Sequence, residues 1–172
     1  LEAGRNSEAE AAFRQALAGF TNNPDLIGGL GMALLRQDRR ADAIVQFEQA
    51  LARAPNGDNS GKWRSLIAST RYWLTLQQAD AALEAKQVEQ AATLYAQAHE
   101  LQPKEVNAVL GLANVALAKA DDAEAERRLL EARRIEPGNR AAIGKLVQLY
   151  GRIDPARMEA FVAGLPAGDR GR

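Results

Sequence analysis

The feature that most constrains this chain is a helical pattern that recurs with a fixed period. Pro103 and Pro137 lie 34 residues apart, and the same order of small, large and small residues precedes each of them. Four copies occur: Ala91-Tyr95-Ala98 before Pro103, Ala125-Leu129-Ala132 before Pro137, Ala43-Phe47-Ala50 before Pro55, and Ala9-Phe13-Ala16 before Thr21. Positions i, i+4 and i+7 share one face of a helix, and proline ends the helix. The chain is therefore predicted to be a row of repeated helical units.

The first half of each unit predicts a second helix. Leu30-Gly31 falls 24 residues before Pro55, and a Leu146 and Tyr150 pair follows Pro137 in a similar way. A helix-turn-helix unit with a period of about 34 residues is the tetratricopeptide signature. We therefore predict an all-α fold, a right-handed superhelical tetratricopeptide solenoid whose stability comes from the stacking of neighbours.

The pattern predicts where the helices and segments fall. The expected helices are Ser7–Gly19, Asp25–Gln37, Arg40–Arg53, Gly61–Lys86 in one piece or two, Val88–Leu101, Glu105–Lys119, Asp122–Ile135, Arg140–Tyr150 and Pro155–Leu165. The expected segments are N-terminal repeats at 1–55, an inserted helix and hinge at 56–71, C-terminal repeats at 72–165, and a linker or disordered tail at 166–172.

The inserted helix follows from a break in the period. Pro55 and Pro103 lie 48 residues apart, which is one period plus 14 residues, and the extra residues run from about 58 to 71. Asn59 or Ser60 can cap a helix there. Because glycine adopts new backbone dihedrals at low cost, we expect a hinge at Gly57, Gly61 and Lys62.

Composition argues against several functions. With 22 basic and 22 acidic residues and no basic stripe, the chain is a poor candidate for nucleic acid. The longest apolar run, 109–118, is about half the roughly 20 residues that span a bilayer, so no membrane segment is expected. With no cysteine and a single histidine, His99, thiol catalysis and Cys/His zinc sites are excluded, and we expect no cofactor, no metal and no enzyme activity.

Glycines and aromatic residues are interpreted first as packing residues. Gly28-Gly29-Leu30-Gly31 has no preceding strand and no following Lys-Ser/Thr, so it predicts close helix contact rather than a phosphate loop. Trp63, Tyr72 and Trp73 lie at helical spacing, which favours the core. The alternative is that Tyr72 or Trp73 stacks on a sugar ring.

The insert and the C-terminal end carry a more specific resemblance. The residues that carry it are Lys62-Trp63-Arg64-Ser65-Leu66, Arg71-Tyr72-Trp73-Leu74 running into Gln77–Leu83, Ala108–Leu112, Leu149-Tyr150 and Asp154-Pro155. Over about 62–165 the chain resembles the periplasmic repeat region of the bacterial cellulose synthase operon protein C family. The resemblance implies a periplasmic segment, excised from a longer chain that a later barrel anchors in the outer membrane.

The resemblance also implies a function and partners. It implies a non-catalytic scaffold that links synthase and export components, or that guides the glucan across the periplasm. Other cellulose synthase subunits, the glucan chain and peptidoglycan are the implied partners. The alternative is a generic peptide-binding adaptor with no connection to polysaccharide.

Candidate binding residues lie off the packing stripe of the first helix in each unit, because those helices line the concave face of such solenoids. They are Asn107, Leu110 and Asn114 in one unit, Trp73, Leu76 and Asp80 in the unit before, and Gly144 and Gln148 in the unit after. Carboxamides can donate to and accept from a peptide backbone or sugar hydroxyls. Asn114 could instead satisfy a neighbouring helix.

Overall fold

The computed structural model describes residues 2–169, and this part of the chain is helical with no β-strand. Its helices are α1 Glu2–Gly19, α2 Pro24–Arg36, α3 Arg40–Arg53, α4 Ser60–Glu84, α5 Val88–Leu101, α6 Val106–Ala118, α7 Asp122–Ile135, α8 Arg140–Ile153 and α9 Pro155–Ala163. A short 3-10 turn, Ala167–Asp169, follows α9. The predicted all-α fold is confirmed.

Most helix ends agree with the sequence pattern. α3, α5 and α7 have the predicted bounds, whereas α1 begins earlier and α8 continues to Ile153. The insert is not a separate element, because α4 runs without a break from Ser60 to Glu84. The predicted tail 166–172 includes the 3-10 turn at 167–169, and residues 170–172 lie outside the described residues.

Side-chain caps explain several helix starts. The side chain of Asn23 accepts from the backbone N–H groups of Asp25 and Leu26 at 3.0 and 3.1 Å. Asn139 and Asp154 accept in the same way at the starts of α8 and α9. Asn59 behaves differently, because its amide donates to the Asp25 carboxylate at 2.8 Å. The capping bonds satisfy N–H groups that have no partner inside the helix.

The chain divides into two compact units, which we call unit 1, up to Leu74, and unit 2, from Thr75. Unit 1 holds α1 to α3 and the first part of α4. Its core is the buried set Ile27, Leu30, Leu34, Ala43, Ile44, Phe47, Ala50, Trp63 and Ile67. The α2 glycines lie under its aromatic rings: a Cβ at Gly28 would overlap the Trp63 indole, and a Cβ at Gly31 would overlap the Phe47 ring. The predicted packing role of these glycines is confirmed.

Unit 2 repeats this construction with α5 to α9 and the last part of α4. Its core is the buried set Val109, Ala113, Ala116, Ala125, Leu129, Ala132, Ala142, Leu146, Leu149 and Tyr150. The Tyr95 ring lies where a Cβ of Gly111 would be. Phe161 of α9 packs edge-on against Tyr150, with ring centroids 5.5 Å apart. Each unit therefore buries its own apolar residues.

Candidate binding surface

The first helices of unit 2 leave polar side chains outside its core. In α6, Val109 and Ala113 are buried, while Asn107 is exposed and Asn114 is half-buried. Leu110 is half-buried and packs against the core cluster. No charged residue occurs between Val106 and Ala118. The outward side of α6 is therefore uncharged and carries two carboxamides.

The next first helix, α8, continues this character. Gln148 is exposed, and a Cβ at Gly144 would have no heavy atom within 4 Å. Sequence reasoning missed Lys145 between them, which is half-buried and makes no ion pair with any described residue. The signal for Lys145 was its position in a predicted buried helix. We call Asn107, Leu110, Asn114, Gly144, Lys145 and Gln148 together the first-helix surface of unit 2.

The carboxamides of this surface have unused hydrogen-bonding capacity. Within residues 2–169, the side chains of Asn107, Asn114 and Gln148 make no hydrogen bond to another residue. The alternative role for Asn114, satisfying a neighbouring helix, is therefore wrong in this structure. A carboxamide offers two N–H donors and an acceptor oxygen. All three side chains can bind an uncharged polar ligand through both kinds of group.

Two residues predicted on the preceding first helix have structural surroundings that differ from the expectation. Leu76 is only 7% exposed, so its predicted place on the binding surface is wrong. The carboxylate of Asp80 accepts a hydrogen bond from the Tyr95 hydroxyl at 2.5 Å. Burial, together with that carboxylate, raises the pKa of Tyr95 above its usual range. Asp80 therefore anchors a core tyrosine, which leaves less of its carboxylate for a ligand.

The aromatic residues of α4 in unit 1 divide between core and surface. Trp63 is 4% exposed and Tyr72 is 1% exposed, as predicted. The favoured core placement of Trp73 is wrong, since this side chain is 45% exposed. Ten residues of α-helix leave Trp63 and Trp73 about 80° apart around the axis, so they cannot share one face. Tyr72 holds the edge of the Trp73 ring at a centroid distance of 5.1 Å, which leaves the indole accessible.

The predicted hinge residues lie at the start of α4. Gly57 lies in the turn before the helix, and Gly61 and Lys62 lie exposed in its first turn. A Cβ at Gly61 would meet no heavy atom within 4 Å, whereas one at Gly57 would lie 3.1 Å from the Ala54 Cβ. Neither glycine is required by close packing, and the hinge stays a prediction.

The ionisable groups are organised for structure rather than for proton transfer. Hydrogen bonds from Arg127 lower the pKa of Glu124, as that from Arg152 does for Asp122. Burial and the hydrogen bond to Glu126 raise the pKa of Tyr150 to about 12. Nε2 of His99 lies 3.6 Å from the Glu131 carboxylate. Among the described residues, no three acidic, histidine or cysteine side chains are grouped as a metal site would need.

A bilayer crossing is not provided by the described helices, since none of them is both long and apolar enough for one.

Comparison with known families identifies the repeat. The family model described as Tetratricopeptide repeat matches residues 1–69 and 82–150. The unmatched residues between the two matches lie inside α4. The solved structure titled "Functional Characterization of Pseudomonas Aeruginosa pilF" aligns over 100% of this chain and 72% of that chain, with a TM-score of 0.51 and 17% identity. At that identity the likeness supports the fold alone.

Sequence relatives are more specific. Cellulose synthase operon protein C of Escherichia coli (strain K12) is 36% identical over 170 residues, which is 99% of this chain and 15% of that protein. Cellulose synthase operon protein C of Xanthomonas axonopodis pv. citri (strain 306) is 37% identical over 175 residues, which is 100% of this chain and 11% of that protein. The chain thus spans less than a sixth of the length of these relatives. It belongs to the tetratricopeptide repeat family and is a relative of cellulose synthase operon protein C.

Proposed function

We propose that this chain is a non-catalytic interaction region of the machinery that synthesises and exports cellulose. The periplasm is its proposed location, and its partner is a protein subunit of the synthase complex. The observation that carries the proposal is the set of unpaired carboxamides of Asn107, Asn114 and Gln148 on first helices of a repeat fold. Relatives named for a cellulose synthase operon supply the context.

Carboxamides suit a protein segment in an extended conformation. The backbone of such a segment alternates N–H donors and C=O acceptors, and each carboxamide can bind either group. The half-buried Leu110 between them offers apolar contact to a side chain of the partner. The surface can therefore position a polypeptide without a catalytic group.

The test is a binding titration of the chain against the periplasmic subunits of a cellulose synthase and against cello-oligosaccharides. We expect a measurable protein contact and weak or undetectable sugar binding. Replacing Asn107, Asn114 and Gln148 with alanine should weaken the protein contact by at least about tenfold, since each neutral hydrogen bond contributes about 1 kcal/mol.

A matched control removes three carboxamides elsewhere. Gln49, Asn56 and Gln97 are exposed and lie outside the first helices, so replacing them with alanine should leave the contact unchanged. Equal losses in both triple variants, or no contact with any subunit, would overturn the proposal.

A second candidate function is guidance of the glucan itself, and the exposure of Trp73 favours it. An accessible indole face can stack against the C–H groups of a pyranose ring. The chain contains two tryptophans, so Trp63→Phe leaves Trp73 as the sole indole reporter. Fluorescence should change little with cello-oligosaccharides. Tight sugar binding that Trp73→Ala abolishes would reverse the order of the two functions. Peptidoglycan fragments provide a further arm of the same titration.

The remaining alternative is a generic peptide-binding adaptor with no connection to polysaccharide. A gene for a processive glycosyltransferase beside the gene for this chain would argue against it. Catalysis has no support from the site, because the carboxylates with lowered pKa values are held by arginines.

We also propose that Gly57, Gly61 and Lys62 form a hinge at the start of α4. The support is local: neither glycine is needed for close packing, and the family model leaves the middle of α4 unmatched.

A further inference from the structure

We propose that Lys145 reads a carboxylate on the partner, so that the first-helix surface of unit 2 selects an acidic protein segment. The inference deepens the proposed function and rests on it. Lys145 is half-buried in the middle of α8, and within the described residues it has no ion pair. Other lysines that lack an ion pair, such as Lys104, are fully exposed.

The repeat frame explains why a lysine fits at this position. In unit 1 the corresponding residue, 82 positions earlier, is Trp63, and its indole lies over Gly28 of α2. The residue that corresponds to Gly28 in unit 2 is Leu110, which packs against the core. The same path across two first helices places the methylene stem of Lys145 along Leu110. The ammonium group then emerges beyond the leucine, in water beside the carboxamides.

The charges of the two first helices favour an acidic partner. α6 carries no charged residue, and α8 carries Arg140, Lys145 and Arg152 but no acidic residue. Arg152 is held by Asp122. No carboxylate of α6 or α8 is therefore present to pair with Lys145. A carboxylate from a bound segment supplies the missing charge and also accepts from the N–H groups of Asn114 or Gln148.

This arrangement distinguishes acidic segments from neutral chains. A glucan or an uncharged peptide can satisfy the carboxamides but leaves the ammonium without a counter-charge. Because the stem is half-buried, Lys145 loses less side-chain freedom on binding than a fully exposed lysine does. Affinity should therefore fall as salt rises, since the new pair lies close to solvent.

The first experiment uses an acetylated peptide of alternating Asp and Ala, titrated into the full chain by NMR. The side-chain amide signals of Asn114 and Gln148 should shift, whereas the peptide with Asn in place of Asp should bind at least about tenfold more weakly. Lys145→Met keeps the stem and removes the charge, and it should cause a similar loss. Lys145→Arg should retain most of the affinity.

Lys104→Met is the matched control, because it removes one exposed positive charge of unit 2 away from the first helices. We expect no more than a twofold change from it, in line with screening of a distant exposed charge (~10 Å at 0.1 M salt). Amidation of the C-terminus of the peptide separates the two sources of a carboxylate. Loss of binding on amidation assigns the chain end, and retained binding assigns Asp side chains; both results support the proposal.

Three results would overturn it: no binding of the Asp peptide, equal binding of the Asn peptide, or unchanged binding to the Lys145→Met variant. The synthase subunits then separate this proposal from the proposed function. A subunit contact that Lys145→Met leaves unchanged would refute acidic selection and keep the interaction role. Absence of any subunit contact would refute that role, whatever the peptide does.

Discussion

Unit 1 and unit 2 share a frame offset by 82 residues, but they use it differently. Phe13 and Gly29 in unit 1 correspond to Tyr95 and Gly111 in unit 2, and in both pairs an aromatic ring fills the space that a Cβ would occupy. The next position along the frame differs, because Trp63 is buried whereas Lys145 is only half-buried. The frame therefore keeps the contact between helices and leaves the neighbouring positions free to vary.

The variable positions are those that would meet a ligand. Asn107, Asn114 and Gln148 correspond to Asp25, Met32 and Leu66 in unit 1. Asp25 is already paired with Asn59, and Leu66 packs against the unit 1 core. Unit 1 thus uses these positions internally, whereas unit 2 leaves its carboxamides unpaired. The comparison indicates that unit 2 carries the binding surface.

The largest expected effect concerns the shared frame. Tyr95→Ala removes a ring that fills the space beside Gly111 and a hydroxyl that bonds Asp80. Truncation of a buried aromatic residue usually costs about 3–5 kcal/mol. Chemical denaturation monitored by circular dichroism should show a loss of this size in the free energy of unfolding. A loss under about 1 kcal/mol would mean that Tyr95 is not a frame residue.

The second prediction contrasts two first-helix glycines. Gly28→Ala places a methyl group into the Trp63 indole, and overpacking of this kind costs about 1–3 kcal/mol. Gly144→Ala meets no heavy atom within 4 Å and should gain up to about 1 kcal/mol from helix propensity. Thermal denaturation of both variants provides the measurement. Equal shifts in melting temperature would contradict the difference between the two units.

A smaller effect is expected at a turn that both units use. Asp38, Lys86 and Ala120 have positive φ between paired helices, with Ala120 at 56°. Because glycine adopts this conformation without a steric penalty, Ala120→Gly should stabilise unit 2 by about 0.5–1 kcal/mol. Ala96→Gly, at an exposed position within α5, should instead cost about 1 kcal/mol. Opposite signs in a denaturation series support the turn geometry, and the same sign refutes it.

The smallest energy change belongs to the hinge. The chain has no cysteine, so cysteines introduced at the exposed Gln15 and Arg134 can carry spin labels. We expect a broad distribution of distances that narrows when Gly57 and Gly61 are both replaced by alanine, because alanine restricts the backbone. A single narrow distribution that these substitutions leave unchanged would refute the hinge.

Repeat spacing predicts the helices well because the same small and large residues recur at fixed intervals. Ala43, Phe47 and Ala50 are all buried, and α3 has the predicted bounds. The continuity of α4 was less accessible, since a run without proline or glycine allows one helix or two. Asp154-Pro155 correctly marked the start of α9, where the side chain caps and proline takes the first position.

The candidate site was predictable only in part. Spacing placed Asn107 and Asn114 outside the core, but it could not show that Asp80 bonds to Tyr95, a contact between different helices. Trp73 was assigned to the core because a face was drawn over ten residues, over which an α-helix drifts by about 80°. Lys145 was missed because its exposure depends on the size of its neighbours rather than on its own periodicity.

Hydrogen–deuterium exchange of the full chain, with and without the periplasmic subunits of a cellulose synthase, tests the central claim most directly. Backbone amides of α6 and α8 in unit 2 should exchange more slowly in the complex, whereas those of α2 in unit 1 should not change. The Asn107, Asn114 and Gln148 alanine variant should lose this protection. Protection confined to α2, or a complex that forms without protecting α6 or α8, would contradict the account.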